Sequence, residues 1–585
     1  MRSDRRLRVV LDLWVAGVTF LLTWPLWVSG GYPLARDLVF TPHIPFRPET
    51  LGLGTGSPRA APLDAVVSLL GVVVDGAVLA RVLVPGALLL AGWGAHRLLG
   101  RLPVGGRGVA ATLAVWNPFV IERLALGQWA LLLAYGALWW LVATLARGGG
   151  AGAAAPWVGV AALTPTGALL ALVTIGTFVV GRAPQRSRRS TMGVLGLGLL
   201  VQLPWIVPAL LSRATVTSAA AGVELFAARS ERPGPAYLSL LGLGGIWDSL
   251  SVPASRSGLL GYVTSAVVGL SVAWWGLRGR QRGGPPGGGR LLVLGLVAFV
   301  AAGLSSVPVV ADGVASLMTW VPGLGLVRDG QKLLIPFVLL AVVACAEAST
   351  ALVAAARAHS RDGAMLVAGL LWVGPLLLLP DATRVVHPTL QPVSYPVEVE
   401  QVRSVVEAGE GAVAVLPWSA YQRLGWAGPG TVYDPSSRLF DARVVTSDAL
   451  RVGAVTVPGE DPYAGRVGSV LEVPGERPEA LADLGVRWVL IHRSTTGAED
   501  LRVALVAEGA REVLLGRWFV VLQSAEVTAA PPRPPELQVV GLAVLDAAVL
   551  AVLLVLAGWS RRRPKGPGRG LRNVPEEGAP SVTLA

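Results

Sequence analysis

Long apolar runs broken by short arginine-bearing loops are the dominant pattern along the chain. A helix that spans a bilayer needs about 20 mostly apolar residues, and one packed inside a bundle can be shorter. Such runs cover Val9–Val28, Ala77–Leu99, Gly108–Ile121, Trp129–Ala146, Ala153–Leu163, Gly167–Val180, Val194–Leu211, Leu259–Leu277, Leu291–Leu304, Leu333–Ala354, Ala364–Leu379 and Val539–Leu556. These twelve segments predict an all-α polytopic membrane bundle. The fifth and sixth are short and meet at Thr164-Pro165-Thr166-Gly167, a turn-forming sequence, so merging them would give eleven. Between the first two runs, Leu63–Ala77 is amphipathic and predicts a helix lying on the membrane surface.

The pattern changes after residue 379. Val413–Pro417 and Arg487–His492 are short continuous apolar runs that read as buried strands. Pro396–Glu407, Pro478–Leu484 and Leu501–Glu508 read as helices, and Glu512–Leu522 as a closing hairpin. Alternating helix and strand predicts a small α/β domain over residues 380–538, beside a bundle core of residues 1–379. Pro531-Pro532-Arg533-Pro534-Pro535 is a stiff linker to the last span, residues 539–560, and the basic tail 561–585 reads as disordered.

Charge orients the bundle, because Lys and Arg in short loops near helix ends mark the cytoplasmic side. Arg2, Arg5, Arg6 and Arg8 precede the first run, and Arg97, Arg101 and Arg107 follow the second. Further clusters follow the sixth (Arg182, Arg186, Arg188, Arg189), the eighth (Arg278, Arg280, Arg282, Arg290), the tenth (Arg357, Arg361) and the last (Arg561, Arg562, Arg563, Lys565). With twelve helices every cluster falls on one side; with eleven the later ones cross over. The expected topology is therefore twelve helices in the plasma membrane with both termini cytoplasmic. It leaves Ser29–Gly76, Ser212–Gly258, Ala311–Lys332 and Pro380–Gln538 outside. The first run resembles a secretory signal, but its apolar stretch exceeds the roughly 7–15 residues of that type, so it reads as a retained helix.

Composition narrows the class further. Of 585 residues, 53% are hydrophobic and 15% charged, against about 25% charged in ordinary soluble domains. That excludes a cytosolic globular enzyme and, equally, a disordered chain. The net charge of +12 follows from topology and attraction to anionic lipid, and no basic, aromatic-bearing soluble face points to nucleic acid. One cysteine, Cys345, and five scattered histidines offer no disulfide framework and no zinc set. Phosphate-binding, nucleophile-elbow and dinucleotide fingerprints are not found.

Three outer-side segments carry candidate chemistry. Asp37, in Gly31-Tyr32-Pro33-Leu34-Ala35-Arg36-Asp37, is a carboxylate at the interface that suits a general base or metal ligand, or else pairs with Arg36. Asn117-Pro118-Phe119-Val120-Ile121-Glu122-Arg123-Leu124-Ala125-Leu126-Gly127-Gln128-Trp129 packs Glu122, Arg123 and Gln128 into one tight turn. Ionisable groups at membrane depth are costly and mark functional sites, unless Glu122 and Arg123 simply pair with each other. Arg328-Asp329-Gly330-Gln331-Lys332 puts two cations on the side where positive charge is otherwise scarce. Four residues apart, Arg328 and Lys332 share a face if a helix starts this early, and they suit a phosphate; headgroup snorkelling is the alternative. His43 is a further candidate near Asp37, while Glu224, Arg229, Trp247 and Asp248 read as solvated loop residues.

The layout resembles the GT-C superfamily of membrane glycosyltransferases: an acidic residue in the first outer loop, a surface helix, a multi-span core and an outer domain near the C-terminus. The phrases Asn117-Pro118-Phe119, Gly127-Gln128-Trp129, Arg328-Asp329-Gly330-Gln331-Lys332 and Leu484-Gly485-Val486-Arg487-Trp488 are similar to actinobacterial members, with arabinofuranosyl- and mannosyltransferases the nearest in style. The resemblance implies transfer of a sugar from a polyprenyl-phosphate donor to a cell-envelope glycan or glycolipid acceptor. It maps the family's acidic base or metal ligand onto Asp37, with Glu122, Arg123, Gln128, Arg328, Asp329, Lys332 and His43 around the substrate. A divalent cation, Mg or Mn, is a possible cofactor on the same basis. The sequence departs from many members in showing one acid where they carry an adjacent pair, which leaves the metal and the catalytic residue open. A transporter or flippase for lipid-linked sugars, or a non-catalytic scaffold, fits the same topology.

Overall fold

Proline and asparagine cut the apolar runs where their backbone preferences require it. A residue before proline is pushed out of the helical region, so the third run is two helices, Val104–Val115 and Pro118–Ala125. Between them Asn117 is extended, and its side chain caps the second helix by accepting from Val120 N at 3.1 Å. Thr164 does the same before Pro165, separating Ala151–Ala161 from Pro165–Val179. The first run also differs from expectation: its helix is Arg2–Thr23, and Pro25–Val28 forms a separate turn.

The structure, a computed structural model, describes residues 2–180, 188–212, 214, 219–279, 287–320, 325, 328–452 and 455–562. Arg182, Arg186, Arg280, Arg282, Arg563, Lys565, most of the glycine-rich Gly283–Gly289 stretch and nearly all of the tail lie outside the described residues. Among the described residues, eight helices are long and apolar enough to cross a membrane, from Gly76–Leu98 to Glu536–Ser560. The chain is thus a multi-pass membrane protein. One helix was not anticipated: Pro308–Trp320 lies in the stretch read as an outer loop, with Val309 and Trp320 both 82% exposed.

The bundle has two chemically different ends. At one, Asp12 of the first helix binds His96 and Arg97 at the end of the Gly76–Leu98 helix, each at 2.9 Å. Arg147 donates to Arg97 O at 3.0 Å, and Arg101 pairs with Glu347. At the other end, the Pro118–Ala125 helix and its following turn meet the segment leading into the Ile335–His359 helix and a C-terminal domain.

That domain is built on a five-stranded sheet in the order Arg511–Leu515, Phe519–Gln523, Val486–His492, Ala412–Leu416, Arg443–Val445. The last two joins are parallel and the first two antiparallel. Ala412–Leu416 is buried at every position because helices cover both faces, which is why it reads as a continuous apolar run. The helices predicted here occur as Glu398–Val406, Arg477–Asp483 and Ala498–Ala507. Smaller pieces join domain to bundle: Tyr32–Ala35 pairs antiparallel with both Leu38–Val39 and Pro392–Val393. A hairpin of Tyr421–Gln422 and Val432–Tyr433 packs beside them, with Arg36 bridging to Val432.

Candidate active site

Asp37 sits in the two-residue turn between Tyr32–Ala35 and Leu38–Val39. The turn forces Arg36 to φ 52°, a left-handed backbone that costs a non-glycine residue on the order of 1 kcal/mol or more. Contacts from three directions hold it there. Arg36 N donates to Thr431 O at 2.8 Å, and Tyr433 N donates to Arg36 O at 2.9 Å. The Arg36 guanidinium binds Asp248 and donates to Ser251 Oγ at 2.8 Å, so Arg36 is not the partner of Asp37, and Asp248 is more than a solvated loop residue. From the bundle side Asp37 N donates to Leu126 O at 3.3 Å. Gly127, at φ 87°, is what allows this approach: a Cβ there would collide with Leu38 N and reach Asp37 C at 3.1 Å.

The Asp37 carboxylate accepts two hydrogen bonds, from Gln128 Nε2 at 3.1 Å and from Tyr421 Oη at 2.6 Å. Gln128 in turn accepts from Arg123 Nη1 at 2.7 Å. Arg123 forks onto Asp329, with Nη1 to Oδ2 at 2.6 Å and Nη2 to Oδ1 at 2.8 Å, and Lys332 Nζ stands 3.7 Å from the same Oδ2. A continuous polar chain therefore runs Tyr421, Asp37, Gln128, Arg123, Asp329, Lys332. Burial opposes the charge on Asp329, but Arg123 and then Lys332 outweigh it and hold the carboxyl below its ordinary range.

Glu122 does not pair with Arg123. Fully buried, it accepts from Gln331 Nε2 at 2.9 Å and Ile246 N at 3.2 Å, beside Glu231, which is held by Arg256. Arg328 and Lys332 do not share a helical face either. The helix starts only at Ile335, Lys332 lies in a 3-10 turn, Gly330–Leu334, and Arg328 precedes both. Arg328 turns toward the C-terminal domain, 3.4 Å from Glu460, with its guanidinium 4.6 Å from the Phe226 ring centre. Glu460 also binds Arg59 at 3.0 Å. His43 is exposed and lies against Gly71 of the Leu63–Gly71 helix, apart from the chain of contacts around Asp37. Glu224 and Arg229 are exposed.

Tyr421, in a two-residue strand, and Glu460, in a loop, carry no signal in the sequence. A divalent cation of the Mg or Mn kind takes about six ligands, mostly oxygens. Among the described residues no group of three His, Cys, Asp or Glu side chains stands together. Each oxygen of Asp37 accepts one hydrogen bond, from a tyrosine or an amide, and both of Asp329 accept from arginine.

The fold is an apolar bundle with an acidic turn at one end and an α/β domain packed against that end. The fold is shared with the cryo-EM structure of arabinofuranosyltransferase AftD from Mycobacteria, at a TM-score of 0.55 and 15% identity, over 89% of this chain and 40% of that one. An arginine-to-serine variant of the same enzyme gives 0.50 at 14%, over 88% of this chain and 41% of that one. The chain thus spans about 40% of the length of the solved structures it matches, and the likeness establishes architecture. No family model matches the chain, and no curated protein matches its sequence.

Proposed function

We propose that this chain is a membrane glycosyltransferase that moves a sugar from a polyprenyl-phosphate donor to a cell-envelope glycan or glycolipid acceptor on the outer face. The observation that carries the reading is the Asp37 carboxylate, held by Gln128 and Tyr421 at one end of a GT-C-like bundle and wired through Arg123 to Asp329 and Lys332. The reaction balances with these groups alone. The acceptor oxygen bonds to the anomeric carbon, the carbon–oxygen bond to phosphate breaks, and its electron pair leaves on the polyprenyl phosphate. Asp37 takes the acceptor's proton, a general-base role. Lys332 and Arg328 neutralise the phosphate, and Arg123, spent on Asp329, keeps Gln128 and hence Asp37 in place.

A lipid-linked donor arrives from the bilayer, so this end of the bundle is assigned to the outer surface, with residues 380–538 outside and both termini cytoplasmic. The arginines gathered at the opposite end support that orientation. The outer domain would hold the acceptor. The test is reconstitution of the purified chain in vesicles with a short-chain polyprenyl-phospho-arabinofuranose and an arabinan oligosaccharide. Labelled sugar covalently joined to the oligosaccharide is the expected product. Label carried across the bilayer while still on its lipid would mean a flippase, and neither result would mean a scaffold.

A further inference from the structure

The two hydrogen bonds that orient Asp37 come from different bodies. Gln128 belongs to the membrane bundle, whereas Tyr421 lies 384 residues further along, in the outer domain. The same hairpin that carries Tyr421 also grips the turn itself, through Thr431 O, Tyr433 N and the bridge between Arg36 and Val432. An acceptor-binding domain has no need to touch the catalytic carboxylate, and this one holds the turn through its backbone and the carboxylate itself through the Tyr421 side chain.

From this geometry we infer that Tyr421 is a positioning residue for Asp37, so that the outer domain sets the rate of sugar transfer as well as the choice of acceptor. The inference rests on the reading of Asp37 as the general base. The phenol is suited to the task. Its ring is held edge-on to Tyr433 at 5.5 Å between centres, which leaves the hydroxyl little freedom except toward Asp37. Burial, then the charge of Asp37, push its ionisation well above the ordinary tyrosine value, so it remains a donor and does not compete for the acceptor's proton. With Tyr421 on one oxygen and Gln128 on the other, the plane of the carboxylate is defined, and unused lone pairs on both oxygens remain for an acceptor hydroxyl. Oriented placement of a reacting group is worth orders of magnitude in rate, and a small rotation of the carboxylate forfeits part of it.

Tyr421→Phe keeps the ring and its packing and removes only the hydroxyl. With the polyprenyl-phospho-arabinofuranose donor and arabinan acceptor, kcat should fall on the order of 10-fold, the size of one hydrogen bond to a charged group. The donor KM and the thermal transition should stay at wild-type values. The decisive readout is coupling: in an Asp37→Asn background Tyr421→Phe should lower the residual rate little further, because the two residues act as a unit. Equal fold-losses in the two backgrounds, or a lowered thermal transition with unchanged kcat, would overturn the inference. If Asp37→Asn transfers at the wild-type rate, the general-base reading itself fails; if it is inactive while Tyr421→Phe is unaffected, only the role of Tyr421 fails.

Discussion

Arg123 and Arg328 flank the same site and are built differently. The Arg123 side chain is 0% exposed and both of its terminal nitrogens are committed to one carboxylate. Arg328 retains 19% exposure, a longer ion pair, at 3.4 Å, to Glu460 of the C-terminal domain and a ring contact with Phe226. Fully buried and tied to both Asp329 and Gln128, Arg123 organises the site. A cation with a loose, displaceable partner is the one free to meet a phosphate.

The strongest way to break this contrast is to remove the partner of the buried fork. Asp329→Ala leaves the Arg123 charge uncompensated and should cost about 3–5 kcal/mol, read as a lowered thermal transition in detergent. The wild-type contribution is present above the ordinary aspartate range and is lost as pH falls through the depressed Asp329 value, so acid should narrow the gap between variant and wild type. Next is Gly127→Ala, where both the left-handed backbone and the clash with Leu38 oppose a Cβ. Strain and overpacking of about 1–3 kcal/mol each should lower stability and transfer together. Arg328→Gln should weaken binding of the polyprenyl-phosphate donor roughly 10- to 150-fold by titration, one charge-assisted contact, while leaving the thermal transition in place. An unchanged donor affinity would move the phosphate site away from Arg328. The smallest effect belongs to Asn117→Ala, which removes the cap of the Pro118–Ala125 helix and should cost about 1 kcal/mol of thermal stability.

Arg123, Gln128, Asp329, Lys332 and Asp37 were all legible in the sequence, because each is a polar group beside a break in an apolar run. Their partners were not. Asp37 and Arg123 each have an opposite charge next door, Arg36 and Glu122, and the fold ignores both: Asp37 takes Tyr421, 384 residues away, and Arg123 takes Asp329, 206 residues away. Local charge spacing carries no information about a contact made by packing separate helices. Arg328 and Lys332 were placed on a common helix because Gly330 and Gln331 do not announce that the α-helix waits until Ile335. Pro308–Trp320 is hidden in the sequence because Asp312-Gly313 cuts its apolar residues into two short pieces. The C-terminal domain's main strands are legible from their uniform apolarity, whereas the two-residue strands at Tyr421 and Val432 are too short to show a period.

The central claim is that Asp37 is the base of a sugar transfer. It is tested most directly by comparing purified wild type and Asp37→Asn for transfer of arabinofuranose to arabinan, with the thermal transition and donor affinity measured on the same samples. The asparagine keeps the shape and loses the basicity, so transfer should fall on the order of 10²-fold or more while stability and donor affinity remain at wild-type levels. Transfer by Asp37→Asn at the wild-type rate would contradict the account.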